Sequence, residues 1–135
     1  MPKKKARLGP EDRDQYIRDR IAYWRDRLRV SPSLKVKLKY ITNNDPAERN
    51  YAQIDRSMIE YDSAVLEVYD EVFAAADFKK TAEETICHEV LHLAMYPLVA
   101  FLDSMFTNDE GKQKEVERLE EAVVNVLQKA FTDKG

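Results

Sequence analysis

The chain has 135 residues, 44% of them apolar and 35% charged, with a net charge of −3 and one cysteine. That is the size of a single domain with a real core, and the mild charge balance excludes any compositional demand for nucleic acid or a membrane surface. The lone cysteine excludes an internal disulfide, no run approaches the roughly 18 consecutive apolar residues of a bilayer span, and no apolar segment of secretory type follows the basic start; a cytoplasmic protein is expected.

Residues 1–9 read as a flexible arm with the basic run Pro2-Lys3-Lys4-Lys5-Ala6-Arg7, and residues 10–135 as one domain. Pro10 suits the first turn of a helix. Ile17, Ile21, Trp24 and Leu28 recur at helical spacing up to about Val30, where Ser31-Pro32-Ser33 stops it. Leu34, Val36, Leu38 and Tyr40 alternate with Lys35, Lys37 and Lys39, which predicts a half-buried strand with a lysine-rich outer face. Thr42-Asn43-Asn44-Asp45-Pro46 is a loop signal. Strands are expected over 51–55 and 63–68, while periodicity does not decide between strand and helix for 69–76.

Thr81-Ala82-Glu83-Glu84 has the form of a capping box, predicting a helix from Ala82 to Met95 that ends before Pro97. Apolar residues surround this helix on nearly every side, so it should be central. A short helix is expected over 97–106. Thr107-Asn108-Asp109-Glu110 is a second capping-box candidate, and Val116, Leu119, Val123, Val126, Leu127 and Ala130 mark the expected core face of a last helix.

The central helix carries His88-Glu89-Val90-Leu91-His92, an HExxH motif that uses both histidines of the chain. Residues four apart share a helix face about 6 Å apart along the axis, so two imidazoles can grip one Zn²⁺. Glu89 is then placed to act as general base towards a metal-activated water, which points to metal-assisted hydrolysis. Three polar groups on a buried helix would be costly without such a use. Cys87, about 100° away, reads as core.

A catalytic zinc takes three protein ligands, and no third histidine exists, so a carboxylate must serve. Glu120 lies inside the apolar arc of the last helix and needs a partner there. Glu121 lies at the border of core and cleft, where a catalytic metal must face water; Glu117 is intermediate. Geometry alone leaves these open.

HEVLH followed by a helix bearing Glu120-Glu121-Ala122-Val123-Val124-Asn125 resembles the gluzincins, the HExxH-plus-glutamate zinc metallopeptidases, and most of all the short single-domain zincins of bacterial and phage genomes. The resemblance is specific at HExxH and loose elsewhere. It implies an α+β fold of N-terminal helix, small antiparallel sheet, HExxH active-site helix and C-terminal glutamate-bearing helix. It implies Zn²⁺ held by His88, His92 and Glu121, ahead of Glu120 and of Asp103, with Glu89 as base in peptide-bond hydrolysis. Asn125, four residues after Glu121, stands where thermolysin-like chains carry a carboxylate and could hydrogen-bond a ligand histidine. Met95 stands three residues after His92, where a metzincin would have glycine. Tyr96 is the candidate oxyanion donor, and the segment 63–68 the candidate sheet edge for an extended substrate. A peptide or protein substrate is expected, with no membrane partner and no nucleic-acid role beyond the basic arm. The competing readings are a non-catalytic zinc-binding protein of assembly or regulation, and a peptidase acting on a DNA-bound repressor.

Overall fold

The computed structural model describes residues 9–42 and 51–133; the basic arm and most of the expected 42–46 loop lie outside the described residues. Its first element is helix α1, Pro10–Arg27, with Pro10 in the first turn. Strands follow at Lys35–Ile41 (β1), Ala52–Asp55 (β2) and Ser63–Tyr69 (β3). A single helical turn, Glu71–Ala74 (α2), leads to Phe78–Met105 (α3) and Glu110–Thr132 (α4). The class is α+β.

Helix α1 ends three residues before Val30. Arg29 takes a left-handed φ of 59°, the Val30 amide reaches back to the Arg25 carbonyl at 2.9 Å, and the Arg29 amide reaches Asp26 at 3.2 Å. These paired bonds form a Schellman stop, so the chain turns before the Ser-Pro-Ser signal. Val30 folds under the helix end and is 9% exposed.

The sheet has the order β1-β3-β2. It is mixed, not antiparallel as expected: β2 runs antiparallel to β3, and β1 runs parallel to it from Lys35↔Ser63 to Ile41↔Tyr69. The connection from β1 is long enough to return the chain to the same end of the sheet, which a tight hairpin does not allow. In consequence β3 is central, paired along its whole length by β1 and from Val65 to Val68 by β2, so the segment 63–68 is not the substrate edge. Ala64, Leu66 and Val68 of β3 are at most 1% exposed, while Lys35, Lys37 and Lys39 face outwards as their alternation predicts.

Helix α3 is the centre of the fold, packing on α1, α4, α2 and β2. It starts a turn earlier than the Thr81 signal. Asp77 is the cap, its side chain accepting the Lys80 amide at 3.2 Å, and the added turn buries Phe78 against Phe73 and Tyr16 at centroid distances of 5.8 and 5.7 Å. It also continues through Pro97. Proline removes one N–H donor at an exposed position, and Val99, 5% exposed, keeps the following turns against α4. The joined segment is long and apolar enough to cross a membrane by length and composition; here it serves as the core helix. Asp109, not Thr107, caps α4 by accepting the Lys112 amide at 3.0 Å.

The expected core face of α4 is rotated. Val116 and Val124 are buried together with Glu120, whereas Leu119, Val123 and Val126 are 48%, 42% and 67% exposed. Helix α4 thus turns a glutamate towards α3 and leaves apolar side chains uncovered. On the far side, Glu83 of α3 ties α1 in place: it accepts from Arg20 Nε at 2.6 Å and Trp24 Nε1 at 3.0 Å.

Candidate metal centre

His88 and His92 lie one turn apart on α3, with ring centroids 5.0 Å apart. Glu121 of α4 faces both. Its Oε1 is 3.0 Å from Nε2 of His88 and its Oε2 is 3.0 Å from Nε2 of His92. One donor atom from each residue lies within 4.8 Å of the others. Glu121 keeps 52% of its side chain exposed, against 21% for His88 and 13% for His92, so the cluster sits where core meets solvent.

Glu120 does different work. Successive helical residues diverge by about 100°, and Glu120 passes to the buried side of His92. Its Oε2 lies 2.5 Å from Nδ1 of His92, with 4% of the side chain exposed. Arg56, just beyond β2, donates to both Glu120 oxygens at 3.0 and 3.3 Å and to the His92 carbonyl at 3.1 Å. A buried carboxylate bound this way fixes the orientation of the ring and leaves Nε2 directed at the cluster.

The electrostatics follow from this arrangement. Burial works against charge on His92, but the Glu120 hydrogen bond and the charges of Glu89, Glu120 and Glu121 outweigh it, and its pKa is raised. Burial depresses the pKa of His88, which Glu121 only partly offsets. Burial opposes ionisation of Glu120 too, yet the bonds from His92 and Arg56 prevail and its pKa is lowered. Glu89, 8% exposed, is pushed up to about 7 chiefly by desolvation, which the neighbouring charges of His92 and Arg56 only partly oppose. That puts a proton acceptor and donor near neutrality, the range suited to general acid–base work.

Two cavities border the cluster, and both are lined by Ala52, His88, Glu89 and Glu121. One also takes in Tyr51, Glu84, Thr85 and Gln128, the other Gln53, Ile54 and Arg56. The strand beside them is β2, an outer strand of the sheet.

Of the candidates read from the sequence, His88, Glu89, His92 and Glu121 come together. Tyr96 does not line either cavity; its ring lies 5.5 Å from the Arg56 guanidinium carbon, which it supports from behind. Asp103 is eleven residues beyond His92 on the same helix, roughly 16 Å by the helical rise, and is no ligand of this cluster. Glu117 and Asn125 are exposed on α4, and the α4 amide that borders the cavity beside His88 is instead Gln128. Gln128 stands seven residues after Glu121, two helical turns, a periodicity that could have found it. Arg56 and Tyr51 come from the ends of β2, and no local pattern marks them.

Comparison with protein-family models, with curated proteins and with solved structures found no match to this chain.

Proposed function

We propose that the protein is a zinc-dependent metallopeptidase of gluzincin type, with His88, His92 and Glu121 as ligands and Glu89 as general base. One observation carries the reading: two imidazole Nε2 atoms and a carboxylate converge within 4.8 Å beside a solvent-facing cavity. The donor set suits zinc, since N and O ligands at roughly 2.0–2.2 Å fit around a point between such atoms. Glu120 supports it by occupying Nδ1 of His92, as a carboxylate behind a ligand histidine does.

When bound, zinc would supply a Lewis acid for the carbonyl and lower the pKa of a water towards about 7. Glu89 takes the proton of the attacking water, and at a pKa near 7 it can return that proton to the departing amine. Tyr51, not Tyr96, is the phenol bordering the cavity and the better candidate for hydrogen-bonding the developing oxyanion. An extended peptide would lie along β2 rather than β3, because β2 is the outer strand at the cavity. A peptide or protein substrate and a cytoplasmic setting complete the proposal.

The test is zinc content of the purified chain followed by digestion of an unbiased peptide library. One zinc per chain, lost in His88→Ala and His92→Ala, and cleavage lost in Glu89→Gln with zinc retained, is the expected result. Failure to take up zinc overturns the reading. Zinc uptake without cleavage would favour a non-catalytic metal protein.

A further inference from the structure

Half of the apolar face of α4 has no cover among the described residues. Leu119, Val123 and Val126 are 48%, 42% and 67% exposed, and Ala130 is exposed as well. With Val116 they recur at alternating steps of three and four, the seam of a helix that packs on another helix. Leu98, Phe101 and Met105 on α3 repeat the same steps and are 55%, 61% and 60% exposed. A groove lined by Leu98, Leu102, Leu119 and Val123 joins the two stripes. Large apolar side chains gathered on one face mark an interaction surface rather than scattered exposure.

We propose that a second copy of this chain covers the face, its α4 antiparallel to the first, so that two α3–α4 hairpins form a four-helix bundle about a two-fold axis. The charges select this occupant and this direction. Glu115, Ala122 and Lys129 flank the seam, each one residue before Val116, Val123 and Ala130. Layering Leu119 on Val123 and Val116 on Val126 of the second copy sets Glu115 opposite Lys129 of the other chain on both sides of the axis. The two Ala122 residues then meet at the axis, where nothing obstructs close approach. Parallel pairing offers no such opposite-charge contact: the residue it brings near Glu115 is Glu120 of the second copy, which is buried against His92 and Arg56. Val123 and Glu121 point about 160° apart on the helix, so the bundle leaves the histidine cluster open and does not depend on the metal reading.

Sedimentation velocity of the full chain over a concentration series tests this. A monomer–dimer equilibrium is expected, with Val123→Glu and Val126→Glu shifting it to monomer while the helical circular dichroism is unchanged. Glu115→Lys and Lys129→Glu should each weaken the dimer by about tenfold, and the double exchange should restore it. Ala122→Cys should cross-link chain to chain with a short bis-maleimide, since Cys87 is fully buried. A chain monomeric at its highest soluble concentration overturns the proposal, as does a dimer that survives Val123→Glu. If Val123→Glu abolishes the dimer but the double exchange does not recover what Glu115→Lys and Lys129→Glu each lose, the antiparallel pairing is overturned. A monomer that binds phosphatidylcholine vesicles through Phe101 and Leu119 would assign the face to lipid and overturn the second copy.

Discussion

Glu120 Oε2 lies 2.5 Å from Nδ1 of His92, on the side of the ring away from the Glu121 carboxylate. Neighbouring residues of one helix therefore grip opposite nitrogens of one imidazole, and their replacement should separate cleanly. Glu121→Ala removes a half-exposed side chain and should abolish zinc uptake with a stability change within about 0.5 kcal/mol in metal-free protein. Glu120→Ala strands Arg56 and His92 and should cost about 3 kcal/mol. Glu120→Gln should bind zinc 10–100-fold more weakly, on the order of effects seen for residues behind a metal ligand. Metal analysis and thermal melts on the same three variants check this. Equal zinc loss in Glu121→Ala and Glu120→Gln would refute the division of roles.

The motif, the order of helices and strands and the alignment of His88 with His92 were legible because they follow from helical period and residue chemistry, whereas helical geometry left Glu120 and Glu121 open and only the family resemblance put Glu121 first. The direction of β1 was not legible. It depends on how the 42–62 connection returns the chain, and alternation of lysine and apolar residues reads the same in either direction. The run through Pro97 was missed because the local rule against proline gives way when Val99 and Leu102 pack on α4. The face of α4 was misassigned for a related reason. An apolar arc tells which residues avoid water, not which neighbour covers them, and the buried Arg56–Glu120–His92 chain turned the helix. Arg56 itself lies 64 residues from Glu120, so the pairing is a product of the tertiary fold.

Glu83 is the polar joint between α1 and α3. It accepts from Arg20 through two bonds and from the indole of Trp24, which is 2% exposed. Glu83→Ala leaves the buried indole N–H without an acceptor and should cost about 2–3 kcal/mol. Glu83→Gln keeps an acceptor for Trp24 and loses only a partly exposed ion pair, so its cost should be about 1 kcal/mol. Urea unfolding resolves the two. Equal losses would mean that the ion pair, not the indole bond, holds the helices together.

Arg29 sits at φ 59° to close the Schellman stop after α1. A left-handed conformation costs a residue with a Cβ about 1–2 kcal/mol, which glycine avoids at some cost in unfolded-chain entropy. Arg29 is exposed, so Arg29→Gly should raise stability by about 0.5–1 kcal/mol. Arg29→Val should lower it, because a branched Cβ suits this region least. Denaturant midpoints at constant slope measure both, and a destabilised glycine variant would show that the Arg29 side chain makes a contribution larger than its backbone strain.

Glu89 should leave its mark on the pH dependence of stability. Its pKa is about 7 in the folded protein against an ordinary 4.5, so between those values the native chain holds a proton that the unfolded chain has released. Unfolding then releases a proton, and stability from this group falls as pH rises through the window, with the whole penalty present above about 7. A shift of this size corresponds to about 3 kcal/mol. Glu89→Gln stays neutral and escapes the penalty. In metal-stripped protein the variant should therefore match the parent near pH 4.5 and exceed it increasingly up to about pH 7.5. Taking the difference between the two proteins removes most of the contribution of His92, whose raised pKa gives a loss of the same sign. A constant difference across the range would mean that Glu89 is ionised throughout, and that burial does not lift its pKa in the folded protein.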